Sequence, residues 1–171
     1  NIVKDLEKKN TSLKVVWAPQ NKSVVDAYTQ GYKSCLKTNY KWILEIDSGG
    51  SHTPEDIKKF LKHMNDDHEC IFGSRFCPNG KMLNSNFTRY FFSKFGSLLT
   101  KLFFPMKISD TTSGYQMFQK KILHKIIKKG LLSKDRFFQT EIKIYTRNKK
   151  IKEVPIKYIC TTHSLSFFSI I

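Results

Sequence analysis

At 171 residues and 20.0 kDa, the chain has the size of one domain or a large part of one. It is 40% hydrophobic and 13% aromatic, enough to fill a core, which excludes an intrinsically disordered chain. Thirty Lys and Arg against fourteen Asp and Glu give a net charge of +16. That balance favours nucleic acid, phosphate-bearing substrates or an anionic membrane surface, although a Lys- and Asn-rich solvated surface accounts for it equally well.

No apolar run reaches the roughly 18–20 residues of a membrane-spanning helix, and the start has no apolar signal-peptide core. Cys35, Cys70, Cys77 and Cys160 are scattered with no Cys-x-x-Cys pair. Such spacing suits neither structural zinc nor a disulfide framework and points to reduced thiols in the cytoplasm. Sequons at Asn10, Asn21 and Asn86 are expected by chance in an Asn-rich chain.

In chain order, Lys14-Val15-Val16-Trp17 is expected to be a short strand. Val24, Val25, Tyr28, Tyr32, Cys35 and Leu36 then recur at helical spacing. Trp42-Ile43-Leu44-Glu45-Ile46 suits a buried strand running into Asp47 and the loop Ser48-Gly49-Gly50-Ser51-His52. Thr53-Pro54-Glu55-Asp56 opens a helix, with Thr53 as cap, Pro54 in the first turn and acids matching the helix dipole. Cys70-Ile71-Phe72 is a further strand, ending at Gly73-Ser74-Arg75. Phe87 to Phe104 carries a long helical pattern, either a core-packed amphipathic helix or one lying at a lipid interface. Asp110 to Gly114 is a polar turn. Ile122 to Lys129 and Phe137 to Arg147 are helices, and Ile151 to Ile159 is a strand whose Pro155 requires an edge or a bulge. The chain stops in the apolar stretch from Ser164, so a continuing parent protein is expected. No internal repeat or linker marks a second domain, and residues 1–171 are expected to form one, partial, domain.

Strands alternating with helices imply an α/β fold: a mostly parallel sheet with helices on both faces. Ligands gather beyond the carboxyl ends of such strands, where Asp47 and the Gly73-Ser74-Arg75 turn fall. A carboxylate followed by a Gly-rich loop and His52 is suited to a divalent cation held against a diphosphate, though an ordinary strand-to-helix loop looks similar. Arg75 adds a planar cation fit for phosphate. Gln139 and Glu141 could be polar contacts in the same cleft or merely a solvated helix face. The chain has no Gly-x-Ser-x-Gly elbow, His-Glu-x-x-His zinc motif, P-loop or dinucleotide fingerprint.

The order of these pieces resembles the family-2 glycosyltransferases, most closely the dolichyl- or polyprenyl-phosphate sugar transferase branch. The resemblance spans roughly residues 14–160. It rests on Trp42 to His52 with Thr53-Pro54-Glu55-Asp56-Ile57, Gly73-Ser74-Arg75-Phe76, Arg89, Asp110-Thr111-Thr112-Ser113-Gly114-Tyr115-Gln116, Phe138-Gln139-Thr140-Glu141 and Lys152-Glu153-Val154-Pro155-Ile156. It implies a Rossmann-like glycosyltransferase A fold and an inverting, metal-dependent enzyme using Mg2+ or Mn2+. The reaction implied is sugar transfer from a nucleotide-sugar donor to an acceptor, a polyprenyl phosphate or a glycan. By position, Asp47 matches the first acid of the Asp-x-Asp metal motif and His52 the histidine closing its loop. Arg75 and Arg89 match arginines that grip an acceptor phosphate. Ser113 and Gly114 fall in the substrate-side turn, and Gln139 and Glu141 match a polar pair near the acceptor. Lys22, Asp26 and Gly31 fall on the nucleotide side.

Three departures from the family pattern stand out. Gly49 occupies the place of the second metal-binding Asp, and Gln116 that of a frequent Arg. The family's first strand and Asp-Asp-Gly-Ser loop do not occur, so an N-terminally incomplete domain is expected. Asp47, Gln139 and Glu141 are thus the candidate catalytic residues. The candidate substrate contacts are Lys22, Arg75, Arg89, Ser113 and Gly114, and the candidate metal ligands are Asp47 and His52. The competing readings are a catalytically silent, membrane-peripheral partner protein and a basic nucleic-acid-binding module, the latter without any recognisable nucleic-acid-binding pattern.

Overall fold

The computed structural model describes residues 2–64 and 66–161; the apolar tail from Ser164 lies outside them. In chain order these residues form helices α1 (Ile2–Lys9) and α2 (Val24–Leu36), then strand β1 (Trp42–Glu45). A 3-10 turn (Pro54–Asp56) runs into helix α3 (Ile57–Leu61), followed by strands β2 (Cys70–Ser74) and β3 (Lys81–Leu83). Helix α4 (Phe87–Phe103), strand β4 (Gln116–Gln119) and helices α5 (Lys120–Lys129) and α6 (Phe138–Thr146) come next, and strands β5 (Ile151–Pro155) and β6 (Lys157–Ile159) close the order.

The main sheet has the order β1-β4-β2-β5. β2 and β5 pair parallel, whereas β4 lies antiparallel between β1 and β2. β1, β2 and β5 therefore point the same way, as the alternating pattern requires, but the inserted β4 makes the sheet mixed rather than mostly parallel. β4 escapes a sequence reading because it is four residues long and runs straight into α5. Its reversal matters for function: Gln116 stands opposite Glu45 and Phe72, so the turn before β4 reaches the edge where β1 and β2 end.

Side chains alternate across the pleat. Ile43, Cys70, Phe72 and Phe118 face α2, α5 and α6, whose Val25, Tyr32, Ile122, Leu123, Phe138 and Ile142 complete one core layer. Leu44, Ile71, Met117 and Val154 face the other way, onto Phe60 of α3 and Tyr115, whose rings stack at 4.6 Å. Burying each such side chain contributes about 1.5–3 kcal/mol. Helices thus cover both faces. Pro155 ends β5 at the sheet edge, where its missing N–H disturbs no ladder. The chain then steps past Ile156 and pairs β6 parallel with β3.

Three expectations need correction. Lys14 to Trp17 form no strand: Val15 donates its N–H to Glu7 (2.8 Å), and Trp17 is 67% exposed beneath the Lys4 ammonium. Their β propensity has no neighbouring strand to act on among the described residues. Thr53 precedes the 3-10 turn but does not cap it; its hydroxyl donates to Asp56 (2.9 Å). The core-packed reading of α4 fails as well. Only Ser97 and Thr100 of that helix are buried, while Phe87 is 81%, Leu102 73% and Phe103 72% exposed. This helix turns its small polar residues to the protein and its large apolar ones outward.

Candidate active site

Asp110, in the turn ahead of β4, is fully buried and accepts three hydrogen bonds from Arg75 at the end of β2. The main-chain N–H and Nε reach Oδ2 at 3.0 and 2.7 Å, and Nη2 reaches Oδ1 at 2.8 Å. Nη2 also donates to Thr112 Oγ1 (2.5 Å). Glu153 of β5 holds the same turn by accepting from the N–H groups of Ser109 and Asp110 at 2.8 and 3.1 Å. Burial alone would push the Asp110 carboxyl up, but the adjacent guanidinium wins and holds it below the ordinary carboxylate range. For Arg75 the same pairing outweighs desolvation and raises an already high value. Arg75 is therefore at the site, but its planar fork is committed to Asp110 rather than open to an acceptor phosphate.

A second buried network lies beside this pair. Glu45 of β1 accepts from Tyr32, from Gln116 Nε2 (2.8 Å) and from Gln139 Nε2 (3.3 Å). Lys143, wholly buried on α6, donates to the carbonyls of Ser113 (2.5 Å) and Gln139 (3.4 Å) and to Gln116 Oε1 (3.3 Å). Desolvation pushes Glu45 up to about 7 and Lys143 down to about 8. Gln139 crosses directly over Gly114: a Cβ there would sit 2.0 Å from its Nε2. Ser113 and Gly114 thus serve first as the floor on which α6 closes.

Asp47 follows β1 and keeps its side chain 36% exposed. Its Oδ1 accepts from the Tyr28 hydroxyl of α2 (2.6 Å), and its N–H donates to His52 Nδ1 (3.1 Å). That hydrogen bond uses the Nδ1 lone pair, so the proton resides on Nε2, which is buried and has no hydrogen-bond partner among the described residues, with the ring packed between those of Tyr115 and Tyr158. Burial, the largest influence, also lowers the His52 pKa. His52 is therefore a clasp closing the loop rather than a metal ligand. Asp47 does fit a cation, since Mg2+-like ions bind through one or two carboxylates with phosphates supplying the rest. Among the described residues no three His, Cys, Asp or Glu side chains cluster as a metal site. Among the described residues Gly49 meets nothing within 4 Å of an added Cβ, so no described side chain takes the place of the missing second acid.

The other expected residues divide. Arg89, half-buried at the start of α4, donates to Tyr158 OH (3.3 Å) and stacks over that ring, as does Arg75. Glu141 accepts from the N–H groups of Leu132 and Ser133 (2.8 and 2.9 Å) and from Tyr145 OH (2.5 Å). Burial would raise its pKa, yet these donors hold it low, and its carboxylate secures the α5–α6 loop instead of a reacting group. Asp26 completes the α2 capping box with Ser23 (3.0 and 3.1 Å) and also accepts from the main chain of exposed Lys22 (3.1 Å). Glu45, Asp110, Lys143, Tyr28 and Tyr32 were not singled out from sequence. The only advance signals were an acid inside an apolar strand and another heading a polar turn.

Residues 1–127 match the sequence profile of Glycosyl transferase family 2. The chain belongs to this family. Among family-2 relatives, it is 32% identical over 135 residues to undecaprenyl-phosphate mannosyltransferase of Micrococcus luteus, covering 78% of this chain and 55% of that one. It is 29% identical over 134 residues to polyprenol monophosphomannose synthase of Mycolicibacterium smegmatis, covering 77% and 51%. The chain thus spans about half the length of the curated relatives it matches. Its fold matches glucosyl-3-phosphoglycerate synthase from Mycobacterium tuberculosis, solved with UDP, at a TM-score of 0.58 and 9% identity over 96% of this chain and 53% of that one. The architecture is accordingly the Rossmann-like glycosyltransferase A fold. Family-2 enzymes of this fold generally use a divalent metal. No described helix is long and apolar enough to cross a membrane.

Lys143 offers a direct test of the buried network. Its pKa is depressed in the fold, so between about pH 8 and its ordinary 10.5 the folded state binds fewer protons than the unfolded one. Stability should therefore rise with pH across that window, by at most about 3 kcal/mol relative to Lys143→Met. Urea unfolding of both proteins at pH 7.5 and 10 checks this, and parallel pH curves would show that the ammonium is not desolvated.

Proposed function

We propose that the protein carrying this chain transfers a sugar, with inversion, from a nucleotide-sugar donor to a polyprenyl phosphate at a membrane surface. The observation that carries the reading is an accessible carboxylate, Asp47, at the strand edge that also presents Arg89, in a fold shared with a UDP-binding synthase. The names of the two curated relatives support the acceptor class.

In this reading Asp47 holds a Mg2+ or Mn2+ ion, which would offset negative charge on the departing nucleoside diphosphate. An acceptor phosphate oxygen bonds to the anomeric carbon as the bond from that carbon to the diphosphate breaks. The attacking phosphate is already anionic, so no general base is required; Glu141 and Gln139, both held in internal hydrogen bonds, are not asked to serve as one. Arg89 is the acceptor-phosphate cation, while Arg75 shapes the turn behind it. Lys22, exposed at the start of α2, lines the donor side.

Helix α4 supplies the membrane contact. It spans about 25 Å at 1.5 Å per residue. Phe87, Phe91 and Phe95 stack along its exposed side, with ring centroids 6.1 and 5.6 Å apart. Lys94 and Lys101 intersperse that surface, so apolar insertion and attraction to anionic headgroups act together. Because Arg89 lies in the first turn of the same helix, docking would bring the phosphate-binding end to the headgroup layer.

Two outcomes are expected. Arg89→Lys retains the charge but loses the planar fork. It should raise the apparent KM for a short polyprenyl phosphate about tenfold, the equivalent of about 1.4 kcal/mol, with donor hydrolysis barely altered. Steady-state kinetics of the intact protein measure this, and unchanged acceptor dependence would remove the lipid-phosphate reading. In vesicle sedimentation the protein should pellet with anionic vesicles at low salt and less so at high salt. Complete retention in the supernatant at low salt would make α4 a surface for something other than lipid.

A further inference from the structure

Helix α2 and strand β1 meet through two phenol–carboxylate pairs. Tyr28 and Tyr32 are four residues apart and so share one face of α2, while Glu45 and Asp47 are two apart and share one side of the extended chain. Four helical residues rise about 6 Å and two strand residues about 6.7 Å, so the two ladders are nearly commensurate. The inner pair, Tyr32 with Glu45, is buried within the Gln116–Gln139–Lys143 network. The outer pair, Tyr28 with Asp47 at 2.6 Å, sits at the accessible end. The Tyr28 ring is fixed independently: it packs on Phe138 of α6 at 4.9 Å and lies 6.2 Å from the Tyr32 ring.

Asp47 is thereby held at two points. Its N–H is tied to His52, and Oδ1 is tied to Tyr28, while His52 Nδ1 comes no closer than 3.9 Å to Oδ2. We infer that Tyr28 is the positioning residue of this site: its hydroxyl fixes the Asp47 carboxylate so that Oδ2 remains for the cation. The inference rests on the reading that Asp47 holds the metal, and deepens it. With Gly49 supplying no second carboxylate, a single freely rotating acid would lose rotamer freedom on binding an ion. Tyr28 removes that freedom in advance, in the manner of outer-shell hydrogen bonds that orient metal ligands.

Mn2+ binding by the intact protein in the presence of UDP, followed by electron paramagnetic resonance, tests the inference, with thermal unfolding measured in parallel. Tyr28→Phe keeps the ring on Phe138 and removes only the hydroxyl. It should weaken Mn2+ binding about five- to tenfold while leaving the melting temperature nearly unchanged. Asp47→Asn should lose Mn2+ binding, and adding Tyr28→Phe to it should bring no further loss. If Asp47→Asn binds Mn2+ like the wild type, the metal reading falls and takes the Tyr28 role with it. If Asp47→Asn loses the ion but Tyr28→Phe stays within twofold of wild type, the metal reading stands and only the positioning role is overturned.

Discussion

The Arg75–Asp110 ion pair is the constraint on which this edge of the molecule depends. An unpaired carboxylate at complete burial is prohibitively costly, and here a bidentate guanidinium and two further main-chain donors meet it. The pair joins the end of β2 to the turn ahead of β4, and that turn sets where β4 enters between β1 and β2. Gly114 then lies close enough to α6 for Gln139 to cross it and reach Glu45. Lys143 closes the arrangement by bonding the Ser113 carbonyl from beneath. Each polar group in this sequence is satisfied by the next, so the edge is rigid before any ligand arrives.

A division of labour among charged residues follows. Those that are fully buried, Asp110 and Lys143, together with nearly buried Glu45 and Arg75, are matched against one another inside the protein. Asp47 and Arg89 retain access to solvent at the carboxyl edge. Of the two arginines a family resemblance would treat alike, only Arg89 lies on a helix whose outer face is apolar. The same edge therefore presents a solvent-accessible carboxylate, a guanidinium and a helix with an apolar outer face, the arrangement on which the proposed lipid-phosphate acceptor rests.

Where periodicity was strong, the fold was legible in sequence. α2, α4, α5 and α6 appear within one or two residues of the expected spans, and β1 and β2 follow from their apolar runs. Pro155 announced the sheet edge because a missing N–H is a local fact, but the single strand expected over Ile151 to Ile159 breaks at Ile156 into β5 and β6, which pair in different sheets. The failures share a different cause. Val15 to Trp17 have strand chemistry but no strand beside them among the described residues, and strand formation is a property of a pair. β4 is polar at both ends and becomes a strand only because two neighbours demand it. For α4 the sequence leaves a core-packed and an interfacial helix open, and only the folded neighbours show that its small residues rather than its phenylalanines face inward. Motifs mark Asp47, Arg75, Gln139 and Gly114 as candidates, and the structure brings these four to one edge. What motif could not convey was which side chains answer one another. Arg75 meets Asp110, His52 meets the Asp47 main chain, and Glu141 meets the α5–α6 loop, each through contacts distant in sequence or dependent on the folded backbone.

The most direct test of this account is a double-mutant cycle between Arg75 and Asp110, read as unfolding free energy with Arg75→Met, Asp110→Leu and the double variant. Each single change strands a buried charge and should cost about 3–5 kcal/mol. The double variant removes both charges together and should cost well under the sum, giving a coupling energy of about 2 kcal/mol or more. Additive losses, with Arg75→Met folding as stably as the wild type, would show that the pair does not organise this edge and would return Arg75 to the substrate.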